Sequence, residues 1–482
     1  MPEFRMPGAF VEELAVFPPT VSEVETALPA FIGYTAQARL KKAGDLHRVP
    51  HRIRSLVEFE ACYGAGSSLD VRRIDLDSAG NFVSAELAAR YYLFDAVRLF
   101  FANGGSDCIV VSVGLFTPQA KAAVRALMNG LTAIANLDGP SIVLFPDAVM
   151  LGESSLGALQ QAALGQCAQR QDRFAVFDLR AGDSGGASFR ARSGTANLRY
   201  GAAYTPWLLV HPSRSPGYMQ VRDRIFAGGN STRLASLLAD QKSREALARL
   251  ETLCAAPLVS AVEMEVAENE LQACSPIYRN LLAGIRTMTF QCPPSGAVVG
   301  VYARTDLERG VWKAPSNTVI NGIAGLTVSF TEQQVDSLQV DTVGGKSINP
   351  IRQFPGRGWL VWGARTLAGN DNEWRYVPVR RLFITVETSL RAAIARFVFE
   401  PNEPNTWVRI RAMVENYLAI KWREGALFGA RTDHAFFVRC GLGETMTAQD
   451  VADGRLVVEI GMAVAKPAEF IILRITQLLQ EA

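Results

Sequence analysis

The chain has 482 residues, 49% of them hydrophobic and 20% charged, enough for roughly three domains and too apolar for wholesale disorder. A formal net charge of only +2 leaves no overall basic field to attract nucleic acid or an acidic membrane. Apolar runs are strand-length, far short of the ~20 residues that span a bilayer, and the seven cysteines (62, 108, 167, 254, 274, 292, 440) follow no CxxC or zinc spacing, reading as free thiols of a reducing compartment.

In chain order, the opening MPEFRMPGAFVEELAVFPPT is acidic early and has no apolar signal segment, which together with the scattered thiols predicts synthesis in the cytoplasm. The first sixty residues read as extended and proline-punctuated: GAFVEELAVF, the Pro18-Pro19 break, then PAFIGYTA. From Glu86 the spacing of Leu87, Tyr91, Phe94, Val97 and Phe101 predicts a helix stopped by Gly104-Gly105. The strand CIVVSV (108–113), a helix (118–135), the strand SIVLF (141–145), a helix (154–170) and the strand RFAVFDL (173–179) follow. Continuous apolar strands alternating with helices argue a parallel, doubly wound sheet. PWLLV (206–210) and GAVVGVYA (296–303) are expected to extend it, with a Gly- and Ser-rich loop at 180–197.

From about Arg375 a third unit begins. RYVPVRRLFITVETSL reads as a strand running into a helix, and residues 404–427 as a long amphipathic helix. Trp407, Ile410, Val414, Tyr417, Leu418 and Trp422 share one side of it, Asn402 or Asn405 can cap its start, and Gly425 can end it. HAFFVRC, RLVVEIGMAV and the terminal EFIILRI complete the chain. That last apolar strand is an aggregation hazard unless something pairs with it.

Catalytic patterns are scarce. His47 and His51 have a chelating i, i+4 spacing, but Pro50 separates them and they read as solvated loop histidines. Asp178, His211 and downstream serines give an Asp–His–Ser order without a nucleophile-elbow motif; an α/β hydrolase using His211 is the rival of another class. His434 and Cys440 could pair, although strand burial accounts for the cysteine as well. GAGSS (64–68) is a glycine-rich turn with nothing phosphate-specific after it, and Asp147 in LFPDAV ends a strand where α/β proteins often bind ligands. No catalytic residue, metal or cofactor is assigned.

GVWKAPSN (310–317), GLTVSFTEQQVDSL (325–338), INPIRQFPGRGWLVWGARTL (348–367), WRYVPVRRL (374–382), FVFEPNEPNTW (397–407), AFFVRCG (435–441) and GMAVAKPAEFIILRI (461–475) together resemble the contractile tail sheath family of phages and phage-tail-like injection systems. PGAFVEEL and PAFIGYTA resemble its opening. The resemblance implies an α/β and α+β multidomain fold. A non-catalytic, subtilisin-like central α/β domain (61–370) accompanies an α+β core domain built from 21–60 and the tube-facing 371–465. Extended arms at 1–20 and 466–482 add strands to neighbouring copies. It further implies a non-enzymatic subunit of stacked hexameric rings around an inner tube. Its partners would be copies of itself, the tube, baseplate and terminator proteins, with no nucleic acid and no membrane insertion. Compact size favours an injection particle over a virion tail. The arm residues expected at subunit interfaces are Phe10, Val11, Leu14, Phe470, Ile471, Ile472 and Ile475. The cations expected to face the tube are Arg409, Arg411, Lys421 and Arg423, partly offset by Glu415 and Glu424.

Overall fold

The computed structural model describes residues 20–469, apart from 118, 120, 257 and 258. The chain divides into two compact units: Glu25–Ile384, and a second formed by residues up to Val24 with Thr385 onward. The division therefore falls inside the helix Val377–Ile394.

The first unit is built on a nine-stranded sheet. Its order is Thr318–Val319, Gly358–Val361, Asn349–Phe354, Gly201–Thr205, Phe174–Asp178, Ile142–Leu144, Pro29–Thr35, Cys108–Leu115 and His51–Ile53. Pairing is parallel from Asn349–Phe354 across to Cys108–Leu115 and antiparallel at both flanks. Every residue of Pro29–Thr35 and of Phe174–Asp178 is buried, as a sheet covered on both faces requires. The alternating core read from the sequence is thus present, with helices at Val124–Ala133 and Glu153–Arg170 between its strands.

Several expectations for the sheet unit differ from the structure. PAFIGYT is a central strand of this sheet, so residues 25–60 pack with the α/β unit and not with the C-terminal one. The stretch read as helix from Glu86 begins as the strand Phe82–Ala88, paired with Asp70–Leu76, and the helix is Leu93–Ala102. Leu208–Val210 lies in a separate antiparallel sheet with Phe290–Cys292 and Gly325–Leu326. GAVVGVYA belongs to the helix Ser295–Arg309. Its valines suggested a strand, but Gly296 and Gly300, one turn apart, let this helix press onto Leu93–Ala102. A Cβ there would stand 2.3 Å from the Ala96 carbonyl oxygen and 2.5 Å from that of Phe100.

The second unit holds the Thr385–Ile394 part of the shared helix, the helix Pro404–Arg423, and a two-stranded antiparallel sheet of Phe436–Arg439 and Glu459–Met462. The strand expected to run directly into the shared helix is absent among the described residues, where Tyr376 forms an isolated bridge to Arg365. The 404–423 helix starts with Pro404 at its first position and no side-chain cap. Asn402 instead accepts from Trp407 Nε1 (2.6 Å) and donates to the Arg455 carbonyl (3.1 Å), pinning the entry loop. Gly425 ends the helix in a left-handed conformation at φ 84°, as its position foretold.

Candidate assembly interface

The buried side of the 404–423 helix is Trp407, Ile410, Met413, Val414, Tyr417 and Leu418, matching the apolar stripe read from the sequence, with Trp422 half-buried. Helical geometry puts Arg409 and Arg423, fourteen residues apart, within about 40° of each other, and both are exposed. Arg409 is engaged locally: Nη1 donates to Glu400 Oε2 at 2.9 Å and the guanidinium lies 5.2 Å from the Phe397 ring centre. Val408 and Ile420 are exposed beside these cations, an aliphatic content that the sequence reading missed.

The other two cations sit elsewhere. Arg411 is half-buried near Cys440, whose thiol burial pushes up while the Arg411 charge lowers it. Lys421 is 5% exposed, and its Nζ donates to Glu23 Oε2 (2.6 Å) and Glu424 Oε2 (2.8 Å). Burial works against its charge, but the two carboxylates raise the ammonium above the ordinary lysine value. A tube could not reach this charge, so Lys421 leaves the tube-facing set and becomes an anchor for residues 20–24. Val24 N adds a bond to Ser389 Oγ at 3.1 Å. No periodicity could have revealed Glu23–Lys421, because its partners lie far apart in sequence.

The other described end is held on the same unit. Phe428 N donates to the Ala463 carbonyl (2.6 Å), Ala463 N to that of Ala435 (2.8 Å), and Val464 bridges Leu427. No third strand joins the 436–439/459–462 pair among the described residues, leaving strand edges of the kind that accept another strand. Phe10, Val11 and Leu14, and likewise Phe470, Ile471, Ile472 and Ile475, lie outside the described residues.

Most of the catalytic candidates are engaged structurally. Asp178 accepts from Ser295 N (2.8 Å) and Ser295 Oγ (2.5 Å), fixing the start of the 295–309 helix to the end of its strand. Burial pushes its carboxyl up to about 7 against those bonds. His211 Nδ1 bonds the Met288 carbonyl at 3.0 Å, so Asp178 and His211 assemble no relay. Asp147 accepts from Tyr34 N (2.7 Å), Tyr92 N (2.6 Å) and Leu93 N (3.3 Å). It joins the end of Pro29–Thr35 to the start of Leu93–Ala102, capping that helix from outside. Burial raises it to about 6. Gly33 makes room for it: a Cβ would lie 2.5 Å from Asp147 Oδ2. Cys440 packs with Trp407 and Met446, while His434 is exposed. His47 bridges Ser112 through its backbone and His51 pairs with Val110 in an edge strand. Among the described residues no group of His, Cys, Asp and Glu is arranged to hold a metal, and no helix is long and apolar enough to cross a membrane.

Known proteins supply the comparison. Residues 127–367 match the phage tail sheath protein central domain, and residues 369–477 the phage tail sheath C-terminal domain. The tail sheath protein of Vibrio phage KVP40 is 27% identical over 129 residues, 26% of this chain and 18% of that protein. A putative prophage major tail sheath protein of Pseudomonas aeruginosa strain UCBPP-PA14 is 31% identical over 103 residues, 21% of this chain and 26% of that protein. The chain thus aligns with only about a fifth to a quarter of these curated relatives' length. Solved structures match throughout. A chain of the six-fold symmetrised anti-feeding prophage baseplate superposes with TM-score 0.63 at 27% identity, over 99% of this chain and 100% of that one. The contracted sheath complex of the extracellular contractile injection system PVC gives 0.61 at 27%, over 98% of each chain.

Proposed function

The chain belongs to the phage tail sheath family, and on that premise we propose that it is the structural subunit of a contractile sheath of a phage-tail-like bacterial injection system. The observation that carries this reading is the end-to-end likeness to chains of two such particles, beside partial alignment with phage sheaths. In this reading the subunit stacks as hexameric rings around an inner tube, meets baseplate and terminator proteins at the sheath ends, and contracts to drive the tube through a target envelope. It is made in the bacterial cytoplasm and acts without cofactor or catalysis. The family resemblance further implies that the sheet unit is a subtilisin-like domain without protease function.

Copies are linked by strand exchange. The arms at 1–20 and 466–482 add strands to open sheet edges such as those of the 436–439/459–462 pair. About six backbone hydrogen bonds at ~0.5–1.5 kcal/mol each contribute several kcal/mol. Buried Phe470, Ile471, Ile472 and Ile475, and Phe10, Val11 and Leu14 at the other end, add ~1.5–3 kcal/mol apiece. Such joints let the linked bodies turn without parting. Arg409 and Arg423 are the cations left to face acidic groups on the tube. Exposed ion pairs worth ~0–1 kcal/mol each hold a tube in numbers and still release it.

Negative-stain microscopy of the purified protein, alone and co-expressed with the tube protein of its particle, tests the proposal. Long striated tubes are the expected outcome. Monodisperse small particles in both preparations would refute it.

A further inference from the structure

FVFEPN, residues 397–402, contains an anomaly that the assembly reading does not use. Glu400 N donates to the Phe397 carbonyl at 3.0 Å, closing a turn with Val398 (φ −62°, ψ 130°) and Phe399 (φ 73°) at its centre. This is a type II turn, and Phe399 occupies the corner that glycine or asparagine normally takes. The other described non-glycine residues at positive φ are Arg48, Gln171, Asn197 and Asn317, all polar. A phenylalanine there is a strained choice. Its side chain gains nothing in return among the described residues: Phe399 is 101% exposed and Val398 59%.

The turn is nevertheless held firmly on both flanks. Phe397 is buried beneath the Arg409 guanidinium, and Arg409 also bonds Glu400. Just beyond, Asn402 is tied to Trp407 and Arg455. A rigid mount that presents a strained, fully exposed phenyl ring is the form of an interface anchor.

We propose that Phe399 is a docking knob that inserts into an apolar recess of a second copy of this chain; this rests on the sheath reading above. Both described ends of the unit attach near the far end of the 404–423 helix, through Glu23–Lys421 and Leu427–Val464. Phe399 precedes its first residue, so about 30 Å of helix separates knob and ends. The arms proposed to continue from those ends therefore start remote from it. Along the body of the sheath, away from the baseplate and terminator at its ends, the tube is the other neighbour in this reading, but the tube must be released. A desolvated aromatic contact in every copy would resist sliding, whereas copies of the sheath stay joined.

The test uses Phe399→Cys in a Cys274→Ser background, because Cys274 is the exposed native thiol among the described residues. Maleimide labelling is timed on free subunits, on sheaths assembled alone and on sheaths around tube. The expected result is labelling slowed about tenfold or more in both sheaths. In parallel, Phe399→Asn, which suits the left-handed backbone, should keep or raise the subunit melting temperature while raising the critical concentration for assembly about tenfold. Labelling at the free rate in assembled sheaths overturns the proposal, as does protection only when tube is present. A parent protein that never assembles overturns the sheath reading itself, and the knob with it.

Discussion

Replacing Lys421 by methionine keeps most of the buried stem and removes the ammonium that ties residues 20–24 to the second unit. Its side chain is 7% exposed, whereas those of Glu23 and Glu424 are 34% and 41% exposed. Stripping one partner from a fully dry pair costs ~3–5 kcal/mol, because the other charge is trapped. Here both carboxylates reach water, so the loss falls to about 1–3 kcal/mol. For a unit of about 120 residues each kcal/mol moves the midpoint by about 3–6 °C. The assay is a thermal melt read by near-ultraviolet dichroism, with proteolysis around residue 20 as the local probe. Glu23→Gln combined with Lys421→Met should show a coupling of about 0.5–3 kcal/mol. The raised ammonium places this contribution fully below the ordinary lysine value and removes it only as pH climbs through the higher folded one, so the deficit should be constant from about pH 6 to 8. A variant that melts with the parent and protects residue 20 equally well would refute the anchor.

Deleting residues 469–482, or residues 1–20, should leave a subunit that melts near the parent yet forms no sheath by microscopy; normal sheaths would end the strand-exchange account. Arg409→Glu with Arg423→Glu should impair co-sedimentation with tube, and high salt should weaken the parent complex in the same way. Asp178, raised to about 7 mainly by burial, binds its proton more tightly folded than unfolded, so it makes stability fall as pH rises from about 4 to 7. Asp178→Asn should flatten that slope in denaturant titrations at about pH 5 and 8, and an unchanged slope would discount the carboxyl.

Sequence patterns disclosed what is local. Alternating strands and helices from 108 to 179, the apolar stripe of the 404–423 helix and its stop at Gly425 all followed from periodicity and turn chemistry. Pairing partners did not. PAFIGYT reads the same whether it is an arm or a central strand, and only parallel contacts with Cys108–Leu115 and Ile142–Leu144 decide the matter. The 295–309 helix was masked by its valines; the informative residues were Gly296 and Gly300, meaningful only once a second helix is known to lie against them. For the candidate interface, exposure of Arg409 and Arg423 was legible from helical spacing. The burial of Lys421 was not, because its partner Glu23 comes from the opposite end of the chain.

The Asp147 clamp has a consequence for inheritance. The backbone at Gly33 does not need glycine for its conformation; what forbids a side chain there is above all the carboxylate 2.5 Å from where a Cβ would stand, with Leu93 Cβ next at 3.1 Å. The two positions are thus bound in one allelic choice. A lineage that keeps the acid must keep the bare position, and one that loses the acid orphans three amides while Leu93 still crowds residue 33. Neither single step is neutral, so relatives that carry the acid should also carry the glycine.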